Sequence, residues 1–279
     1  VPELFLKALT GKVKPRPLAT LDIETIPTLE KCYLVGFSDG VSYKHFDTVG
    51  DIDGWICADK YEVGGYVQIE GKQVGSIPYL PEDLEGPISQ FLTWLFSSDR
   101  YCKYWIYAHN GGSFDFLYLV RWLLEHGKEF SFDVIPLQSS ILRLEVRRKS
   151  QSKKKPHTWT FLDSYRLMNT GLEKLGKVLV GEGKTVKLHA DGTEVNEKVQ
   201  AEVERYYAEL HFNPQRYEYL KQDTTLLYRC LEAFNVLVSR GGGEVGMTAP
   251  SSAMKSFRRM HLKEWIPINR CFQGCKCDK

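Results

Sequence analysis

Residues 18–37 read LATLDIETIPTLEKCYLVGF, and the fold is decided here. The segment 18–24, LATLDIE, is the pattern of a buried strand that ends in acids, and 32–37, CYLVGF, is its hairpin partner. In an extended strand, residues i and i+2 share a face, so Asp22 and Glu24 present two carboxylates to one point. A D-x-E also occurs where an edge strand meets solvent. The flanking Leu21 and Ile23 set this pair beside a core strand.

Outward from this hairpin, Ser38-Asp39-Gly40 is a turn and VSYKHF (41–46) a third strand. Residues 47–87 are rich in Gly, Asp and Pro, with one short hairpin at YVQIEGKQV (66–74). PISQFLTWLFSS (87–98) has helical apolar spacing, with Pro87 suited to a first turn. YWIYAHN (104–110) reads as a short aromatic strand, followed by Gly111-Gly112 and a helix over 114–126 closed by Gly127. ILRLEVRR (141–148) and HTWTFLD (157–163) read as strands joined by a lysine-rich loop. Helices follow near 171–180, 197–212 and 214–238, and Gly241-Gly242-Gly243 is the candidate linker. This order predicts an α/β domain with a mixed central sheet flanked by helices.

The chain has 279 residues, with 43% apolar and 26% charged, as in a water-soluble globular protein. No apolar stretch approaches the roughly 18–20 residues of a membrane span. The start, VPELFLKALTGKVKPRP, has neither a signal-peptide core nor an initiating Met and reads as the start of a fragment. Net charge is only +2, so charge as a whole does not call for a polyanion. Locally, RLEVRRKSQSKKK (143–155) holds seven basic residues against Glu145, and KSFRRMHLK (255–263) is a second basic cluster. Each reads equally as a solvated face. Seven scattered Cys and no secretory segment point to reduced thiols in an intracellular compartment. Cys271, Cys275 and Cys277, with His261 upstream, do not match the common zinc spacings.

Two further acids stand out. Asp115, in HNGGSFDF (109–116), opens a helix, where it serves equally well to satisfy free backbone N–H groups. Asp223, in YEYLKQDTTLLY (217–228), lies one helical turn from Tyr219, a spacing that simple packing also produces. In chain order the pattern is D-x-E, N-x3-F-D, Y-x3-D. Carboxylates crowded together raise one another's pKa, and a natural reason to gather four is a pair of divalent cations. Oxygen donors favour Mg²⁺ or Mn²⁺, and two such ions about 4 Å apart suit phosphodiester hydrolysis.

This ordered set resembles the three exonuclease motifs of the DEDD superfamily. Tyr219 places it with the tyrosine subclass, since the histidine subclass would have His where Glu218 stands. The likeness extends to the protein-primed family B DNA polymerases of linear viral and plasmid genomes, through residues 18–37, 107–127, FLDSYRLMNTGLEKLGKVL (161–179) and MTAPSSAMKSFRRMHLKEWIPI (247–268). The resemblance implies a ribonuclease H-like exonuclease fold over 1–242 and a connecting segment, 243–279, leading toward a polymerase palm. It implies that Asp22, Glu24, Asp115 and Asp223 hold two metal ions, and that Tyr219 and Glu24 orient the attacking water. Thr25, Asn110, Phe114 and Ser164 would contact a single-stranded DNA 3′ end, and Lys184 or Lys187 would be an assisting lysine. The basic loop, with Arg147, Arg148, Lys153 and Lys154, would guide the DNA backbone. A polymerase module, in cis or in trans, and a terminal protein are implied partners.

Two departures stand out. Ser164-Tyr165 replaces the family's Ser/Thr-Leu pair, and Phe272-Gln273-Gly274-Cys275 stands where a Tyr-x-Gly-Gly element is usual. A free-standing DEDD nuclease trimming RNA and a non-catalytic nucleic-acid-binding or docking module are the alternative readings.

Overall fold

The computed structural model describes residues 5–11, 13, 16–26, 31–47, 63–69, 72–78, 86–149, 157–210, 212–264 and 266–267. Its centre is a seven-stranded mixed sheet built from β2 (Leu18–Ile26), β3 (Lys31–Ser38), β4 (Tyr43–Asp47), β7 (Trp105–Ala108), β8 (Phe130–Leu137), β9 (Ser140–Arg148) and β10 (Thr158–Asp163). The strand order is β4-β3-β2-β7-β10-β9-β8. The pairs β2–β7 and β7–β10 are parallel and the others antiparallel. Outside this sheet, β5 (Val63–Ile69) and β6 (Lys72–Pro78) form a hairpin, and β1 (Phe5–Leu6) pairs with β11 (Ile266–Pro267).

The central strands are apolar on both faces, as parallel strands must be when both sides are covered. One face sends Leu21, Ile23, Ile106, Ala108 and Phe161 into a core completed by α1 (Pro87–Phe96) and α2 (Asp115–Glu125). Tyr107 and Leu162 point the other way, against α3 (Leu172–Leu179) and α5 (Gln215–Arg240). A third cluster joins Tyr33, Leu34 and Leu220 to Tyr206 and Leu210, at and just beyond α4 (Gln200–Glu209). The mixed sheet flanked by helices expected from the sequence is thus present.

The helix expected over 114–126 runs from Asp115 to Glu125 with His126 as its cap, and the His126 ring stacks on Trp122 at 3.7 Å. Two local details differ from the sequence reading. The edge strand β8 lies where no strand was expected. The three glycines 241–243 form a turn, not an extended linker: their N–H groups donate to the carbonyls of Leu237, Ser239 and Val238. After that turn, α6 (Ala249–Met260) packs back onto residues 7–11, with Arg258 and Arg259 donating to the carbonyls of Lys7 and Gly11.

Register positions the acids. β7 pairs only with Leu18–Thr20 of β2, so β2 runs on beyond the end of β7 with Asp22 and Glu24 on the overhang. The carboxyl ends of parallel strands open a crevice at this point, the usual place for a ligand in such sheets.

Candidate active site

Three separate elements bring the four acids together. Leu21 and Ile23 are buried in the α1–α2 core, so Asp22 and Glu24 face the opposite side of β2, toward α5. Asp22 pairs across the ladder with Gly36 of β3. A Cβ at Gly36 would lie 2.7 Å from Thr224 Oγ1 and 2.8 Å from Leu220 Cγ, so the missing side chain is what lets α5 come close. Thr20 Oγ1 donates to the Thr224 carbonyl at 2.8 Å and ties β2 to the same turn of α5. Asp223, next to Thr224, is thereby held against β2.

Asp115 arrives from the other side. Beyond β7 the chain turns through Asn110 in the left-handed conformation (φ 60°) and a 3-10 turn, Gly111–Ser113. A Cβ on Gly112 would sit 2.0 Å from the Ile141 carbonyl oxygen, so this turn packs directly onto β9. The carboxyl of Asp163, fully buried at the end of β10, is raised by that burial, against the opposing N–H groups of Tyr165 (at 3.0 Å), Asn110 and Gly112 and the charge of Arg166. Sequence reasoning passed over Asp163, although it repeats the pattern of a core strand ending in an acid.

Electrostatics shows that the acids share one space. Burial, then Glu24, Asp115 and Asp223, push the Asp22 carboxyl well above the usual range. Burial raises Glu24, against the pull of Lys187. Asp115 is pushed up to about 7 by burial, with its own and the Ile23 N–H groups opposing. Asp223 is also raised by burial, with Lys184 opposing. Tyr219 is raised by burial and by Asp223, Glu24 and Asp22, so its hydroxyl stays protonated.

The sequence left Lys184 and Lys187 as equals, and the structure separates them. Lys184 Nζ lies 2.5 Å from Asp223 Oδ2 and 3.2 Å from the Tyr219 hydroxyl. Burial works against its charge, but Asp223, Asp22 and Glu24 outweigh it and raise its pKa. Lys187 Nζ pairs with Glu197 at 3.5 Å and lies over the Tyr219 ring at 5.3 Å, acting on Glu24 and Asp223 through its charge and not through a direct ion pair.

The donor set suits hard divalent cations. Asp115 Oδ1 and Asp223 Oδ1 are buried with no hydrogen-bond partner among the described residues. Such orphaned acceptors are costly unless a cation or water meets them. All donors are carboxylate oxygens, the chemistry of Mg²⁺ or Mn²⁺ sites.

The other sequence-derived positions divide into two groups. Thr25 follows the bulge at Glu24 and is half-buried, while Asn110 and Phe114 are exposed, with the Phe114 ring edge-on to Tyr118. These three flank the acids in sequence and stand on the same elements. Ser164, by contrast, is fully buried, with its hydroxyl donated to the Ala108 carbonyl at 3.1 Å and joined to His109 Nδ1 at 3.0 Å. Burial holds His109 down to about 4, so the ring is neutral. Ser164 therefore braces the end of β7 and offers no free surface to a strand.

Nor do Arg147 and Arg148 join the acids. Arg147 pairs with Thr158 at the start of β10, whereas the acids cluster at the end of that strand, so antiparallel register carries both arginines to the opposite end of the sheet. Arg147 is bound to Asp133 and Glu145, and Arg148 donates to the Phe96 carbonyl. Lys153, Lys154 and the Cys271/Cys275/Cys277 group lie outside the described residues. Sequence reasoning also missed Asp99, Cys102 and His157, whose donor atoms all lie within 4.8 Å of one another.

The model of a protein family described as DNA polymerase type B, organellar and viral, matches residues 99–271. Among solved structures, the orthorhombic crystal form of phi29 DNA polymerase aligns with a TM-score of 0.51 and 15% identity, covering 88% of this chain and 34% of that one. Phi29 DNA polymerase complexed with single-stranded DNA aligns with a TM-score of 0.51 and 17% identity, covering 88% and 35%. The chain thus spans about a third of the length of the polymerases whose fold it shares. No curated protein sequence matches it. With the family model covering more than half of the residues, the chain belongs to the organellar and viral type B DNA polymerases.

Proposed function

We propose that this chain is the 3′→5′ exonuclease unit of a protein-primed type B DNA polymerase, hydrolysing single-stranded DNA 3′ ends with two divalent cations held by Asp22, Glu24, Asp115 and Asp223. One observation carries this reading. Four carboxylates from three elements, Asp115 and Asp223 buried and Asp22 and Glu24 half-buried, are gathered in one space that raises the pKa of each, with two of their oxygens unpartnered. Such crowding is unfavourable without cations.

When bound, Mg²⁺ or Mn²⁺ would supply Lewis-acid charge to the attacking and leaving oxygens. The chain's own groups do the rest. Tyr219, protonated throughout the physiological range, donates its hydroxyl toward the attacking water, and Glu24 accepts from that water. Lys184 keeps its charge beside Asp223 and Tyr219, orienting both and offsetting negative charge that develops on the phosphate. Asn110, Phe114 and Thr25 form the rim that receives the 3′-terminal nucleotides, with the exposed Phe114 ring able to stack on or wedge between bases. Ser164 acts indirectly, through His109 and the end of β7. Residues 1–242 form the nuclease unit and 243–279 lead toward a polymerase module, with a terminal protein as a further partner. The single-stranded DNA bound in the phi29 structure supports this choice of substrate.

The test is incubation with 5′-labelled single-stranded DNA, or matched RNA, in Mg²⁺, Mn²⁺ or chelator. A metal-dependent ladder shortening from the 3′ end of DNA supports the proposal. Faster shortening of RNA favours an RNA-trimming nuclease. Binding without cleavage by the folded chain favours a docking module.

A further inference from the structure

We propose that Asp99, Cys102 and His157 form a second metal site that takes one zinc-like divalent cation, separate from the carboxylate cluster and structural in role. His157 Nδ1 lies 2.6 Å from Asp99 Oδ1 and 3.8 Å from Cys102 Sγ. Tetrahedral zinc, with bonds of about 2.3 Å to sulfur and about 2.0–2.1 Å to nitrogen, separates those two donors by roughly 3.6 Å. The sulfur–nitrogen spacing is therefore already close to that of a shared ion. Tetrahedral bonds to nitrogen and oxygen put those two donors roughly 3.3 Å apart, so the carboxylate has to swing outward, and the Asp99 side chain, 65% exposed, has room to do so.

The local fold builds this arrangement. The 3-10 turn Asp99–Tyr101 is capped by Ser98, whose hydroxyl oxygen accepts from Arg100 N–H, and Cys102 N–H returns to the Asp99 carbonyl at 3.1 Å. Positions 99 and 102 therefore lie one tight turn apart on one side, where i and i+3 eclipse. Tyr101, buried against Phe37 and Trp94, fixes the turn to the core. His157 enters from the chain leading into β10, and its carbonyl accepts from Arg148 N–H at 3.2 Å.

The chemistry of the donors points to the ion. One sulfur, one imidazole nitrogen and one carboxylate oxygen suit zinc and exclude magnesium, and solvent completes the fourth position. A nucleophilic Cys-His-Asp relay is not formed, because such a relay uses the two ring nitrogens separately, whereas here Nδ1 faces both partners. On binding, the thiol releases its proton to solvent and the thiolate takes the metal. Parallel register (Thr160 with Trp105) sets this site at the entry ends of β7 and β10, opposite the acids at their exit ends. The ion would clamp the turn before β7 to the point where the chain re-enters the sheet after the lysine-rich stretch.

The experiment uses the full chain carrying C271S, C275S and C277S, so that those thiols cannot supply ligands. Metal-free protein is titrated with Co²⁺ while absorbance follows thiolate-to-cobalt charge transfer and the tetrahedral ligand-field bands. The expected result is a thiolate–cobalt band that Zn²⁺ displaces, that is retained and saturates at about one equivalent in Asp22→Ala/Glu24→Ala, that is absent in Cys102→Ser and that is weakened at least about tenfold in His157→Ala. Melting curves of the metal-free variants verify that each is folded. No thiolate–cobalt band in the folded parent chain, an unchanged band in Cys102→Ser, or its loss in the Asp22/Glu24 variant would overturn the proposal.

Discussion

Replacing Asp115 with Asn removes one charge from the most crowded part of the molecule while keeping a carbonyl oxygen for the N–H groups of Asp115 and Ile23. In the metal-free protein the Asp115 carboxyl is raised from the usual 3.8 to about 7, first by burial and then by Glu24 and Asp163. The folded state therefore holds a proton that the unfolded chain has lost between about pH 4 and pH 7, and stability falls as pH rises through that window. Taken alone, a shift of this size has a ceiling of about 4 kcal/mol. Asp22, Glu24 and Asp223 relax when one neighbour is neutralised, so a gain of ~2 kcal/mol at pH 8 is the working expectation. Urea denaturation in chelator at pH 5 and pH 8 is the assay. Wild-type protein should lose stability between the two, Asp115→Asn should lose much less, and the variant should be the more stable of the pair at pH 8. Equal wild-type stability at both pH values, or a variant destabilised equally at both, would refute the reasoning.

Three further outcomes follow from the geometry. Lys184→Ala removes the ammonium 2.5 Å from Asp223 and should slow single-turnover DNA cleavage by roughly 10–100-fold, with Lys187→Ala much milder. Gly36→Ala forces a Cβ against Thr224 and Leu220; it should cost about 1–3 kcal/mol in denaturant melts and lower the cleavage rate by moving α5 away from β2. Phe114→Ala, at a ring 41% exposed, should change stability by less than about 0.5 kcal/mol yet raise the KM for single-stranded DNA.

The parts of the site legible in the sequence are those whose signal is local. Asp22 and Glu24 are two residues apart on a strand, and Tyr219 and Asp223 are one turn apart on a helix, so periodicity alone pairs them. What the sequence hid depends on register and on long-range contact. Strand β8 was not apparent because Pro136 interrupts its pattern, and an edge strand tolerates proline. Its two-residue connection to β9 also lacks the usual Asn-Gly or Asp-Gly signal: Gln138 itself adopts φ 56°. Arg147 and Arg148 read as neighbours of the DNA path because composition does not say which end of the sheet a strand terminus occupies. Lys184 lies in irregular chain with no periodicity to separate it from Lys187. His157 meets Cys102 across 55 residues, beyond any spacing rule.

The central claim is that the four clustered carboxylates make this chain a 3′ exonuclease. It is tested most directly with single-stranded DNA labelled on its 3′-terminal nucleotide, given in Mg²⁺ to wild-type protein and to Asp22→Ala/Glu24→Ala of matched melting behaviour. The account predicts that the first labelled product from wild type is a deoxynucleoside monophosphate and that the double variant releases none. Release of longer fragments first, or equal release by the double variant, would contradict it.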